Sequence, residues 1–184
     1  MLYRFVILVF TMCAFASAAE SQIIIGNGVG KECYQTAITK MEPRNYHIDI
    51  CTKAIESNAL ILKDLSATYV NRGILNMRAR KFGDALEDYE RAIRISPKLG
   101  AAFLNKGAAL IASGRPSEAI PIVKKSNELE THDIEAAHFN LGMAYELTGE
   151  ITEAYLSLQK ALEIRPDWDL PKMQLERYAV VSEG

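Results

Sequence analysis

The sequence predicts an all-α chain built as a stack of antiparallel helix pairs, and three observations predict it. Glycine recurs on a beat: Gly107 follows Gly73 by 34 residues, and Gly142 follows Gly107 by 35. Alanine keeps the same beat at Ala85, Ala119 and Ala154, as do Ala92, Ser126 and Ala161, while Pro97 and Pro166 close the first and third copies. Within each period apolar residues fall at helical spacing, as Ala85, Leu86, Tyr89, Ala92 and Ile93 do. Self-similarity at this period marks a solenoid, in which each small unit buries its apolar face on its neighbours.

Composition narrows the function. The chain has 184 residues, with 21 Lys+Arg against 23 Asp+Glu and a formal charge of -2. That balance implies no nucleic-acid partner, which would call for a basic excess or stripe. A hydrophobic content of 49% suits a packed chain and argues against disorder.

Residues 1–18 read as a secretory signal. Met1 to Arg4 is a short charged start, Phe5 to Phe15 an apolar centre, and Ala16-Ser17-Ala18 a small-residue cleavage site before Ala19. The apolar run falls short of the roughly 20 residues that span a bilayer, and an uncleaved anchor is the other reading. Residues 19–30 are expected to be a flexible lead-in. The stretch 23–32, IIIGNGVGKE, superficially suggests a phosphate loop, but Ile25 stands where that motif needs glycine and Glu32 where it needs Ser or Thr.

Residues 31–65 read as two helices joined around Met41 to Asn45, followed by a linker, NALILKDLS. The second helix, HIDICTKAIES, aligns with LEDYERAIRIS by matching Ala54-Ile55 to Ala92-Ile93, so this is a degenerate unit at the N-terminal end. Cys33 and Cys51 are the cysteines that remain once the signal is removed. In an oxidising compartment they can form a disulfide between the two helices. The spacing is not that of a C-x-x-C redox pair, and zinc needs more ligands. Two free core thiols are the alternative.

Three units follow at 66–99, 100–134 and 135–168. Their helices are expected near 67–79 and 83–95, 101–113 and 117–130, then 135–148 and 151–164. Glycine costs about 1 kcal/mol in a helix interior, so its recurrence at one position needs a packing reason. Without a Cβ, the first helix of a unit can approach the second closely. Pro121 is expected to kink its helix. Residues 169–182 read as a capping helix, because Glu176 occupies the glycine position and so predicts that no helix packs there.

Tyr69, Gly73, Ala85, Tyr89, Ala92 and Pro97 together resemble the tetratricopeptide repeat, with Arg72 where that motif has leucine. The resemblance covers roughly residues 66–182. It implies a right-handed superhelix whose first helices line a concave face, and a non-enzymatic role binding another protein or peptide. It also implies which positions meet the ligand. One of them carries Asn71, Asn105 and Asn140, with Gln174 in the cap. An amide both donates and accepts, as a peptide backbone does, so such a row resembles the asparagine ladder of some superhelices of this family. The other reading is that these amides only orient the helix surface. The remaining groove positions are apolar: Val70, Ile74, Met77, Leu104, Ala108, Ile111, Phe139, Met143 and Leu147. Arg78 and Arg177 do not match the carboxylate clamp of chaperone-docking members.

Nothing suggests catalysis, a cofactor, a metal or a small-molecule substrate. His47, His132 and His138 are scattered, and His138 takes an aromatic position of a first helix. Asp84, Glu87, Asp88 and Glu90 read with Arg91 and Arg94 as a solvated helix face. The expected role is therefore a protein-binding adaptor in the periplasm or secreted. Exported Gram-negative members of the family favour the periplasm, and the signal also allows a eukaryotic secretory route. An assembly subunit that uses its convex face or ends is the alternative.

Overall fold

The computed structural model describes residues 4–7, 28–39, 44–129 and 132–181. The expected cleavage site at Ala16 to Ala18, and residues 19–27 of the expected lead-in, lie outside the described residues. Among those described, the elements are β1 (Arg4–Ile7), α1 (Val29–Ile38), α2 (Asn45–Glu56), α3 (Leu62–Arg78), α4 (Phe82–Ile95) and α5 (Gly100–Ala112). They continue with α6 (Pro116–Glu128), α7 (Ile134–Thr148), α8 (Ile151–Ile164), α9 (Asp169–Leu175) and β2 (Tyr178–Val181). The architecture is an all-α helical solenoid in two layers. Helices α1, α3, α5 and α7 touch in succession, and α2, α4, α6 and α8 each pack on the helix before and the helix after.

Each pair is set by its glycine. A Cβ on Gly73 would stand 2.5 Å from Cε1 of Tyr89, and one on Gly142 would stand 2.7 Å from Cγ of Leu158. On Gly107 it would collide with a methyl of Val123. On the facing helices, Ala85, Ala92, Ala119, Ser126, Ala154 and Ala161 are fully buried.

The turn inside each pair is also repeated. Lys81, Arg115 and Glu150 donate their N–H groups to the carbonyls of Asn76, Leu110 and Tyr145 at 2.8, 2.8 and 2.9 Å. Arg80, Gly114 and Gly149 donate to Met77, Ile111 and Glu146. These bonds make a Schellman close, whose penultimate residue must be left-handed. Gly114 and Gly149 take φ of 76° and 85°, and Arg80 takes 57° without being a glycine. The helix α6 runs on through Pro121, with Pro116 at its first turn, where the missing N–H costs nothing.

Two expectations need correction. The linker is shorter than NALILKDLS, because α3 already starts at Leu62. Ser66 is buried there, and its hydroxyl meets that of Ser96 at 2.9 Å, so this turn has tertiary partners. The cap is likewise not helical to 182. It ends at Leu175, and Tyr178–Val181 is a strand paired antiparallel with β1, in the register Arg4 to Val181 and Ile7 to Tyr178. Tyr, Val and Val favour an extended backbone. The Tyr178 hydroxyl donates to Glu146 Oε2 at 2.9 Å, which fixes the chain as it leaves the helix.

The N-terminal pair is attached by a buried apolar cluster, in which Leu75 of α3 meets Cys33, Ala37 and Cys51, and by polar contacts. The structure joins Cys33 to Cys51, bridging α1 and α2. Arg72 binds Asp88 through Nε and Nη2, at 2.6 Å for the closest contact, and reaches Thr52 of α2 at 3.0 Å. Arg78 donates to the carbonyls of Ala37 and Thr39 at the end of α1, at 2.8 and 2.6 Å. Lys81 reaches Asn45 at 3.0 Å.

Two stability measurements check this account. Gly73→Ala should lose about 1–3 kcal/mol in urea denaturation through overpacking against Tyr89. Gly83→Ala, where an added Cβ meets nothing within 4 Å, should be neutral or gain up to about 1 kcal/mol. Replacing Cys33 and Cys51 together with Ala should cost about 3 kcal/mol, with the loss confined to the unfolding of α1 and α2, and reductant should have no further effect on that variant.

Candidate protein-binding face

The layer of α3, α5 and α7, which the family resemblance puts on the inner, concave side, is where a partner could lie along the array, and its residues divide by burial. Asn71, Asn105 and Asn140 are only 2%, 4% and 4% exposed. The Asn105 amide donates to the carbonyl of Ala101 in its own helix at 2.8 Å, and Oδ1 of Asn71 has no hydrogen-bond partner among the described residues. The row of amides is therefore inside the packing and does not line an open face. Val70, Leu104 and Phe139 are core as well, at 3%, 1% and 1% exposure. Phe139 packs against Trp168 with ring centroids 5.0 Å apart. Gln174 lies on α9, half-buried, and accepts from Arg177 at 2.6 Å.

What remains open is a narrower stripe. Ile74 and Met77 on α3, Ala108 and Ile111 on α5, and Met143 on α7 are half-buried. Ala112 is exposed, and Leu147 at the end of α7 is 58% exposed. The family's ligand positions, taken alone, could not separate these from Val70, Leu104 and Phe139. Exposure depends on how closely each helix meets the next. The stripe can offer apolar contact and shape, while its backbone groups are taken up within the helices. A shallow apolar depression of about 490 Å³ lies elsewhere, between the start of α3 and the α4–α5 turn, lined by Lys63, Ser66 and Ser96 to Leu99.

The two arginines flagged in the sequence are both engaged. Arg78 caps α1 as described, and Arg177 reaches Glu146 at 2.9 Å. Asp88, read in the sequence as part of a solvated face, is 3% exposed and paired with Arg72. Burial pushes its carboxyl up from its ordinary value, and Arg72 and Asn76 pull it back. Among the described residues no group of three or more His, Cys, Asp or Glu could hold a metal ion. His47 is structural, its Nδ1 accepting from the backbone N–H of Arg44 at 2.9 Å.

Comparison with known proteins follows the same repeats. A family profile described as "Tetratricopeptide repeat" matches residues 135–168, and a second with that description matches 70–126. "Small glutamine-rich tetratricopeptide repeat-containing protein 2" of Mycosarcoma maydis is 30% identical over 99 residues, which is 54% of this chain and 28% of that protein. "Serine/threonine-protein phosphatase T" of Trypanosoma brucei brucei is 32% identical over 95 residues, 50% of this chain and 19% of that protein. The chain thus spans 28% and 19% of these relatives. Among solved structures, "MamA 41-end from Desulfovibrio magneticus RS-1" superposes with a TM-score of 0.59 at 17% identity, covering 83% of this chain and 84% of that one. "MamA RS-1 ArsTM double mutant" gives 0.64 at 15%, covering 83% of each. These structures share the fold.

One histidine of the inner layer gives the array a pH response. His138, on α7, is half-buried, and burial, with Lys160 nearby, holds its imidazole below the ordinary 6.5, Glu163 opposing. The unfolded chain then binds the proton more readily. The stability this group contributes is present above pH 6.5 and is lost as pH falls through the lower folded value. Denaturation midpoints should fall between pH 7 and 5, and His138→Phe should flatten that slope.

Proposed function

We propose that the tetratricopeptide repeats at residues 70–126 and 135–168 bind an extended, partly apolar segment of another protein along their inner helices. The repeats make the chain a protein–protein interaction module. The observation that supports the inner face is the stripe from Ile74 through Ile111 and Met143 to Leu147, apolar and open on three successive helices. Contiguous exposed apolar surface marks interaction sites on proteins. Covering each of these half-buried side chains would contribute less than the roughly 1.5–3 kcal/mol of fully burying an exposed one.

We place this activity in the cell envelope or outside the cell, after removal of residues 1–18. Support for that comes from the charged start, the apolar centre and the small residues at Ala16 to Ala18. The Cys33–Cys51 bridge suits an oxidising compartment. Whether that envelope is bacterial is part of the proposal, since the curated relatives above are eukaryotic. Among the described residues no helix is long and apolar enough to cross a membrane.

A second reading has its own observation. Leu156 on α8 and Met173 on α9 are 57% and 61% exposed, which would suit an assembly subunit that docks by its outer face or end.

Selection of a displayed library of unstructured dodecapeptides on the chain separates the two. Extended apolar sequences should be enriched, and their affinity should fall at least about tenfold in Ile111→Asn/Leu147→Asp, with circular dichroism unchanged. Loss in Leu156→Asp alone would move the site to the outer face.

A further inference from the structure

The C-terminal strand is the feature that the inner-face reading leaves unexplained. Its first residue is firmly held. Tyr178 is 8% exposed, stands edge-on to Tyr155 at 5.9 Å, and donates to Glu146, which also binds Arg177. The beginning of β2 is thus fixed to α7 and α8 by contacts that do not involve β1.

β1 is held differently. Among the described residues it pairs with β2 through a four-residue antiparallel ladder. A two-stranded ribbon of this size is marginal in water. It persists because the strand is tethered to the same chain, which keeps it at an effective concentration of about the millimolar order. A tethered strand of that kind can be exchanged for another with the same backbone pattern. The expected removal of residues 1–18 would also take β1 away, leaving the ladder groups of Tyr178–Val181 unpaired. An unpaired strand edge is a template for a further strand.

We propose that Tyr178–Val181 is a strand-addition site for an extended apolar segment of a partner protein, and that Arg4–Ile7 is its exchangeable occupant within the chain. The sequence Arg-Phe-Val-Ile shows the chemistry that fits: short, rich in β-branched and aromatic residues, and antiparallel to β2. Main-chain bonds supply the affinity in this mode, so the site would tolerate many apolar sequences. It is separate from the inner stripe.

Successive N–H groups of a strand point to opposite edges, and proline is tolerated where the N–H is not in a ladder. Phe5→Pro and Val6→Pro, each in the full chain, therefore form an internal control, because only one of them removes a ladder donor and releases β1. The probe is a fluorescein-labelled peptide with the sequence of residues 3–8. Polarisation should show it binding the released variant at least tenfold more tightly than the unaltered chain or the other proline variant. Adding Ala179→Pro or Val180→Pro to the released variant should abolish binding in one of the two cases. Hydrogen exchange at those amides of residues 179–181 that face β1 should be slower in the unaltered chain than in the released variant, and slow again with the probe. Equal binding to all variants, or none to any, overturns the proposal. So does a released variant that dimerises and excludes the probe, since a second copy would then be the occupant.

Discussion

Where Gly73, Gly107 and Gly142 face Tyr89, Val123 and Leu158, a hydrogen occupies space that a methyl group would need, and the two helices of each repeat close to that distance. The rest of the array is scaled by this approach. The facing residues differ in shape, being aromatic, β-branched and γ-branched, yet each is buried to 1% or less. The second helix meets the first through these large residues and through small ones, and Ala85, Ala119 and Ala154, all fully buried, keep the same beat. Close approach also fixes the reversal between helices. Three successive Schellman closes of the same length return the chain at the same angle, and at Arg80 the turn tolerates a left-handed residue that carries a Cβ, a conformation that costs about 1–2 kcal/mol.

The first repeat meets the N-terminal pair by other means. Arg72, which stands where the repeat motif has leucine, turns toward α4 and α2 together and binds Asp88 and Thr52. A buried ion pair of this kind adds little net stability over an apolar replacement, but losing one partner is costly. Its physical consequence is register: α2 is held where the Thr52 hydroxyl accepts from Nη1 of Arg72. Arg78 does the same for α1 by binding its last carbonyls. With the disulfide linking α1 to α2, the degenerate unit is held as one body, and these directional contacts add to the apolar packing of Leu75 on Cys33, Ala37 and Cys51.

The sequence displayed the parts of this fold that repeat. The glycine beat, the small residues opposite it and the paired cysteines were all legible, because each is a constraint on residue type at fixed spacing. Arg80 was not, since an arginine gives no sign that its backbone must be left-handed. Helix α3 begins early because Ser66 has partners thirty residues away, and no local pattern shows that. The cap shortens for a similar reason: Tyr178 looks helical by continuation until Glu146 is placed beside it. The candidate site suffered most. Family positions place Asn71, Asn105 and Asn140 on the inner helices correctly, yet exposure is decided by the spacing between helices, and there the close packing encloses the amides.

Enclosing them changes what kind of recognition the inner face can perform. Open amides would pair with a peptide backbone and hold any extended chain. The stripe that remains, ending at Leu147, offers apolar surface without directional bonds, so it would select by hydrophobicity and shape. Backbone pairing reappears at β2, and the two places are neighbours, since Glu146, next to Leu147, is the residue that anchors Arg177 and Tyr178. A segment lying on the stripe would therefore leave it beside the start of the strand. Contacts with the stripe would then raise its effective concentration at the ladder, which is the advantage a tethered β1 has while it is attached. In the full chain a partner would displace β1 more readily by holding on at both places, and once residues 1–18 are removed the strand edge would be open to it directly.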